Sequence, residues 1–217
     1  MDWLGWITNG WRPGSLAWRM RRARWRIFEG LITDMPRPVR VLDLGGAEPF
    51  WATGEGTQEL AVTMVNLYPQ STALPNVRAV TGSATDLSGF SPQDYDVVFS
   101  NSVIEHLGSW QNQQRMAGQV RSMGLPYYVQ TPNRYFPIEP HFLLPFFQFL
   151  PRATRIWLAA HWRYGSYCRP GDCDAAAAAV DEIRLLTASE MHALFPDAHL
   201  HRERIGPLVK SFVAVGR

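Results

Sequence analysis

Polar and apolar positions along this 217-residue chain fall into three regimes. Residues 14–32 (GSLAWRMRRARWRIFEGLI) repeat at helical spacing: Leu16, Met20, Ala23, Ile27 and Leu31 step by three and four, with Arg19, Arg22 and Arg26 opposite. That period predicts an amphipathic helix. From Val39 the pattern becomes short, almost continuous apolar runs: VRVLDLGG (39–46), AVTMVNL (61–67), one within NVRAVTGSATDL (76–87), one within DYDVVFSNSVIEHL (94–107), and GLPYYVQTPN (124–133). Such runs, separated by segments mostly long enough for a helix, predict parallel strands covered on both faces. The segments 50–60 and 68–75 are short and contain Gly or Pro. Beyond, 134–182 reads as loop and helix rich in Pro and aromatics, with a helical Ala run at 175–179. TASEMHALF (187–195) opens on a capping box, Thr187 with Glu190 three residues on. Residues 199–216 form two runs broken by Gly206-Pro207, the pattern of an antiparallel hairpin at the sheet edge.

The expected architecture is therefore α/β: a doubly wound, Rossmann-like sheet in one domain at 39–217, interrupted by an aromatic insertion at 134–182. A basic, aromatic arm and helix at 1–38 precedes it. No internal repeat or long linker divides the chain.

Composition narrows the classes. The chain is 46% apolar but only 18% charged, below the usual quarter or so, and carries 9 Trp, 11 Phe and 7 Tyr. More apolar surface is expected than on an ordinary cytosolic enzyme. The longest apolar stretch, FLLPFFQFL (142–150), is interrupted by Pro145 and Gln148 and falls short of the roughly 20 residues of a spanning helix. Charge is uneven beneath a net +2: residues 1–28 hold six arginines against Asp2, leaving 15 bases and 18 acids elsewhere. The arm, with Trp3, Trp6, Trp11 and Trp18, suits either a helix packed on the core with a solvated Arg face, or an anchor or lid at an anionic membrane surface. Cys168 and Cys173 are too few for a disulfide framework and lack a ligand set, so no metal is expected. Apolar N-terminal residues interleaved with Arg and Gly do not make a signal peptide. The expected location is cytoplasmic, with peripheral contact to the inner face of a membrane open through residues 1–28.

Candidate chemistry lies at the strand ends, because open parallel sheets bind ligands outside the carboxyl ends of their strands. Asp43, Gly45 and Gly46 close the first run, Asn66 the second, 23 residues past Asp43; Asp86 follows the third, and Ser100, Asn101 and Ser102 the fourth. Gly45 and Gly46 could instead be plain turn residues, and Asn66 and Asp86 helix caps. The ordered series across four strands favours a nucleoside site.

On VLDLGGAEPFW (41–51), VNL (65–67), GSATDL (82–87), DYDVVFSNSVIEHL (94–107) and TPN (131–133), the chain resembles the class I S-adenosylmethionine-dependent methyltransferases. It is similar in particular to the small-molecule methyltransferase type 11 group that includes quinone-biosynthesis enzymes. The resemblance covers about residues 39–133 and continues in the terminal hairpin. It implies a seven-stranded sheet, mostly parallel with an antiparallel last strand, and S-adenosylmethionine across the first four strand ends. It places Asp43 in the cofactor site, Gly45 and Gly46 beneath the methionine part, Asn66 with Leu67 at the ribose, Asp86 at the adenine amino group and Asn101 beside the methyl donor. Two departures stand out. Positions 47 and 49, usually Gly in the D-x-G-x-G-x-G pattern, are Ala and Pro, and the usual ribose-binding acid is Asn66. The glycines also fail the G-x-G-x-x-G dinucleotide fingerprint, which argues against an NAD enzyme.

Methyl transfer is an in-line displacement in which the cofactor carries the reactivity and the protein supplies positioning. A high-pKa hydroxyl acceptor needs a base, and the candidates are His141, in PNRYFPIEPHF with Arg134, Tyr135 and Glu139, and His106 in IEHL. Packing or loop-ordering roles are open for both. The aromatic run 141–151 with RIWLAAHWRYG (155–165) either covers the sheet or forms an apolar wall for an aromatic or lipid-linked acceptor. The leading expectation is O-methylation of a small apolar, aromatic or lipid-linked molecule. The alternatives are a protein or RNA methyltransferase, which lacks aromatic–basic interleaving outside the arm, and a non-catalytic cofactor-binding partner subunit. A nucleic-acid partner is not favoured, and the oligomeric state is left open.

Overall fold

A computed structural model of the protein describes residues 14–52, 56–163 and 165–217. The Trp- and Arg-bearing positions among 1–13 lie outside the described residues. The first described helix, α1 (Leu16–Ile32), begins where Ser15 caps it, its hydroxyl accepting from the Trp18 N–H at 3.0 Å.

The strands follow the apolar runs: β1 (Val39–Leu44), β2 (Leu60–Asn66), β3 (Val77–Thr81), β4 (Val97–Asn101) and β5 (Tyr127–Pro132), then β8 (His199–Ile205) and β9 (Leu208–Gly216). They form a seven-stranded sheet in the order β3-β2-β1-β4-β5-β9-β8. β1 through β5 pair parallel, whereas β9 lies antiparallel between β5 and β8. The terminal hairpin thus extends the sheet by two strands, its last one inside rather than at the edge. The expected doubly wound sheet with an antiparallel last strand is present.

Both sheet faces are covered, which explains the unbroken apolar character of β1 and β4. On one face α1 and the short α2 (Glu48–Ala52) pack Phe28, Leu31 and Trp51 against Val39, Val41, Met64 and Phe99. On the other, α3 (Trp110–Ser122) and α6 (Ala188–Leu194) pack Met116, Val120, Met191 and Leu194 against Leu42, Val98 and Val129. The capping box of α6 is formed by Thr187 and Glu190.

One sequence expectation needs correction. The inward stripe of α1 runs through Met20, Phe28, Leu31 and Ile32, with Trp25 beside it; Ala23 is exposed, and Arg19, Arg22 and Arg26 point outward as expected. Aromatic volume at 25 and 28 outweighs the small apolar residue at 23 in choosing which side turns inward. Residues 16–32 are therefore a core helix. The β2–β3 connection, already set apart in the sequence as short and Pro-bearing, contains no helix, because Pro69 and Pro75 break a span too short to pack one.

The insertion makes a core of its own. A two-stranded ribbon, β6 (Ile138–Glu139) with β7 (Leu144–Pro145), leads into α4 (Arg152–His161) and α5 (Cys173–Glu182), and Phe142, Phe147, Ala159, Ala176 and Val180 pack together beneath them. Phe146, Phe149, Trp157 and Tyr135 stay exposed. Among the described residues, no helix is long and apolar enough to cross a membrane.

Candidate functional site at the carboxyl edge of the sheet

The crevice is built from the turn after β1. Gly45 has φ +75°, and a Cβ there would lie 2.5 Å from a methyl of Val103, which follows β4. Its N–H donates to the Val65 carbonyl at 2.8 Å, pinning the turn to β2. Only glycine accepts this left-handed backbone and this close approach without strain. At Gly46 the constraint comes from below: an added Cβ would sit 1.8 Å from the Asp43 carboxylate.

Asp43 is almost wholly enclosed. It is 1% exposed beneath the turn, where the Trp51 indole donates to its Oδ2 at 2.6 Å. Its Oδ1 is buried without a hydrogen-bond partner among the described residues. Burial pushes its pKa up to about 7, only partly opposed by the indole bond. Asp43 and Trp51 together hold the floor on which Gly45 and Gly46 rest.

Asn66 accounts for its own departure from the usual acid. Its amide nitrogen donates to the Gly46 carbonyl at 2.9 Å, a bond no ionised carboxylate could make, since it only accepts. The side chain therefore clamps the turn while its amide oxygen stays available to accept. Leu67 and Tyr68 follow, 64% and 78% exposed, at the mouth of the crevice. After β3 the chain turns tightly, Ser83 pairing with Asp86. Asp86 is exposed and its carboxylate accepts from the Ser88 N–H at 3.1 Å, which lowers its pKa. That engagement belongs to its own turn, so Ser83 and Ala84 stand closer to the end of β3 than Asp86 does. At the end of β4, Asn101 makes no side-chain hydrogen bond within the described residues. Ser102 beside it holds φ +57° and donates through Oγ to Gln130 at 2.8 Å.

Next to the crevice, past β4 and β5, the structure brings His106 and His141 together, their ring centroids 4.8 Å apart. His106 lies in a 3₁₀ turn (Ile104–Leu107) directly after β4; His141 lies in the β6–β7 ribbon. Each uses Nδ1 toward a carboxylate: His106 to Glu182 Oε1 at 2.9 Å, with the Tyr167 hydroxyl at 3.2 Å, and His141 to Glu139 Oε1 at 2.7 Å. Glu139 is itself fixed, its Oε2 accepting from the backbone N–H groups of His141 and Phe142. Burial disfavours the charged form of His141, but Glu139, Glu105 and Glu182 outweigh it and raise its pKa. Between the imidazoles and β5 sits Glu105, fully buried, with Oε2 accepting from Thr131 Oγ1 at 2.9 Å.

Sequence reasoning did not single out Glu105, Trp51, Tyr167 or Glu182. Glu105 is flagged only by its place beside His106, and Trp51 only by closing the motif five residues after Gly46.

No family model matches the chain. Over 57 residues, 26% of this chain, it is 37% identical to the Mycobacterium tuberculosis protein Rv1509 of strain H37Rv and equally to MT1557 of strain CDC 1551, both described as uncharacterized. The match spans about a fifth of the length of these curated relatives. Among solved structures, the chain is similar to the 1,6-didemethyltoxoflavin-N1-methyltransferase of Burkholderia thailandensis, crystallised with that molecule and S-adenosylhomocysteine (TM-score 0.53, 15% identity, 90% of this chain and 76% of that one). It is also similar to the N-methyltransferase NodS of Bradyrhizobium japonicum with bound S-adenosylhomocysteine (0.52, 9%, 95% and 92%). A third likeness is to the PH0226 protein of Pyrococcus horikoshii (0.53, 14%, 99% and 98%). At these identities what is shared is the fold, over nearly the whole length of both chains in the last two pairs.

Proposed function

We propose that the chain is an S-adenosylmethionine-dependent methyltransferase acting on a small apolar, aromatic or lipid-linked molecule, at a hydroxyl oxygen. The observation that carries the reading is the glycine turn: Gly45 in a left-handed conformation, Gly46 seated on Asp43, and Asn66 clamping the turn from β2. Turns of this kind bring bare backbone against a ligand at the carboxyl edge of a sheet. Two proteins of the same fold hold S-adenosylhomocysteine, which supports the same class of cofactor here.

In this reading the methionine part lies over Gly45 and Gly46. The ribose meets the Asn66 amide oxygen beside Leu67, the adenine borders the 83–86 turn, and Asn101 stands beside the sulfonium. The acceptor enters from the side of His106 and His141. Its oxygen attacks the methyl carbon, the C–S bond breaks as the C–O bond forms, the products are the methyl ether or ester and S-adenosylhomocysteine, and any hydroxyl proton leaves to solvent. Exposed Phe146, Phe149 and Trp157 on the insertion support an apolar acceptor, because grouped exposed aromatics mark interaction surfaces. They also suit delivery from a membrane surface, in which residues 1–28 would share.

Calorimetric titration with S-adenosylhomocysteine tests the reading. The full chain should bind one molecule, and Gly46→Ala should weaken binding at least tenfold by driving the Asp43 carboxylate out of place. A full chain that binds no S-adenosylhomocysteine would overturn it.

A further inference from the structure

The histidine pair does not look like a lone general base. One ligating atom each from Glu105, His106 and His141 lie within 4.8 Å of one another. Both imidazoles present Nδ1 to a carboxylate, Glu182 for His106 and Glu139 for His141; a neutral ring that donates there keeps its lone pair on Nε2. No hydrogen bond from the described residues reaches either Nε2. Carboxylate–histidine pairs of this form orient the imidazoles of metal sites and raise their basicity.

The second observation is independent of the histidines. Glu105 is fully buried, and while Oε2 is satisfied by Thr131, Oε1 is buried with no partner among the described residues. A buried carboxylate oxygen left unpaired costs free energy unless something cationic meets it. Lysine and arginine do not serve: no ion pair to Glu105 is formed within the described residues. Two further carboxylates border the pair, Glu139 at 2.7 Å from His141 and Glu182 at 2.9 Å from His106.

We propose that Glu105, His106 and His141 bind a divalent cation of borderline character, such as Zn²⁺ or Mn²⁺. One carboxylate oxygen and two imidazole nitrogens form a donor set suited to such ions rather than to Mg²⁺ or Ca²⁺, which prefer all-oxygen ligands. Three protein ligands leave coordination positions open, as in catalytic rather than structural sites. Glu105 and His106 follow β4 by only a few residues, so the open positions lie on the acceptor side of the methyl donor. There they would take an oxygen of the acceptor, lower its pKa and orient it for attack. This last use rests on the methyltransferase reading; binding of the ion does not.

The test uses the full chain stripped with a chelator, titrated calorimetrically with ZnCl₂ and with MnCl₂, and in parallel with S-adenosylhomocysteine. The expected result is one ion per chain. Glu105→Gln, which keeps the Thr131 bond and the shape of the side chain, should weaken ion binding at least tenfold, as should His141→Ala. Glu139→Gln should weaken it by about tenfold through misorientation of His141. Should Glu105→Gln fail to fold, His106→Ala, at a partly exposed position, supplies the same comparison. Absence of saturable ion binding, or binding that survives these substitutions and is lost instead in His201→Ala of the His199–His201 pair on β8, would overturn the site. Ion binding without S-adenosylhomocysteine binding would uphold the metal site and remove the methyltransferase reading; the reverse would uphold the reading and remove the site.

Discussion

At the residue scale, Asp43 is a carboxyl group held almost out of reach of water. Its carboxyl, ordinarily ionised above pH 4, is raised to about 7 by burial. A raised carboxyl pKa means the folded chain keeps a proton that the unfolded chain has released between about pH 4 and 7. The contribution of this group is therefore fully present below the unfolded pKa and is lost as pH rises through about 7. Three pKa units correspond to at most about 4 kcal/mol. Asp43→Asn should flatten the stability slope between pH 4 and 7 in urea titrations; a variant whose slope equals that of the parent chain would contradict the assignment. Asn66 is the complementary case. Asn66→Asp replaces the donor to the Gly46 carbonyl by a second acceptor, and should lower the midpoint of thermal unfolding and weaken nucleoside binding about tenfold. A variant with unchanged affinity would mean the amide has no part in the turn.

At the element scale, α1 is held to the sheet by aromatic packing, beside an ion pair of Arg24 with Glu203 of β8 at 3.4 Å. Phe28 is fully buried, 4.8 Å from the Phe99 ring centroid and 5.8 Å from that of Tyr128. Phe28→Ala should cost about 3–5 kcal/mol in denaturant unfolding, whereas Arg22→Ala on the outward face should change stability by less than about 0.5 kcal/mol. Equal effects would contradict the core role of the helix. The capping box of α6 gives a smaller, local prediction: Thr187→Ala should cost about 1 kcal/mol. The helices and strands were readable from the sequence where one period dominated, as in the apolar runs of β1 and β4. They were less readable where two signals competed: in α1 the predicted stripe holds at Met20, Ile27 and Leu31, but Ala23 is exposed and the larger Trp25 and Phe28 take its place against the core. The β6–β7 ribbon, two residues per strand, leaves no periodic trace at all.

At the scale of the whole molecule, the sheet order brings distant strand ends together, and this explains what the sequence could convey about the site. Gly45, Gly46, Asn66 and Asn101 could be singled out as candidates because they close apolar runs. Relations between runs could not. Nothing in the linear chain says that Glu182, 76 residues after His106, meets its ring, or that the Glu139 pair lies against it. Those contacts arise because the insertion folds back over the ends of β4 and β5. Asp86 accepts from the Ser88 N–H within its own turn, a local bond that residue type and position alone do not convey.

The central claim is that the glycine turn and its neighbouring strand ends hold an adenosyl cofactor. A diffraction study of the chain crystallised with S-adenosylhomocysteine measures this directly. The account predicts density with the methionine part over Gly45 and Gly46 and the ribose beside Asn66. A nucleoside lodged elsewhere in the molecule, with that crevice closed by protein side chains, would contradict it.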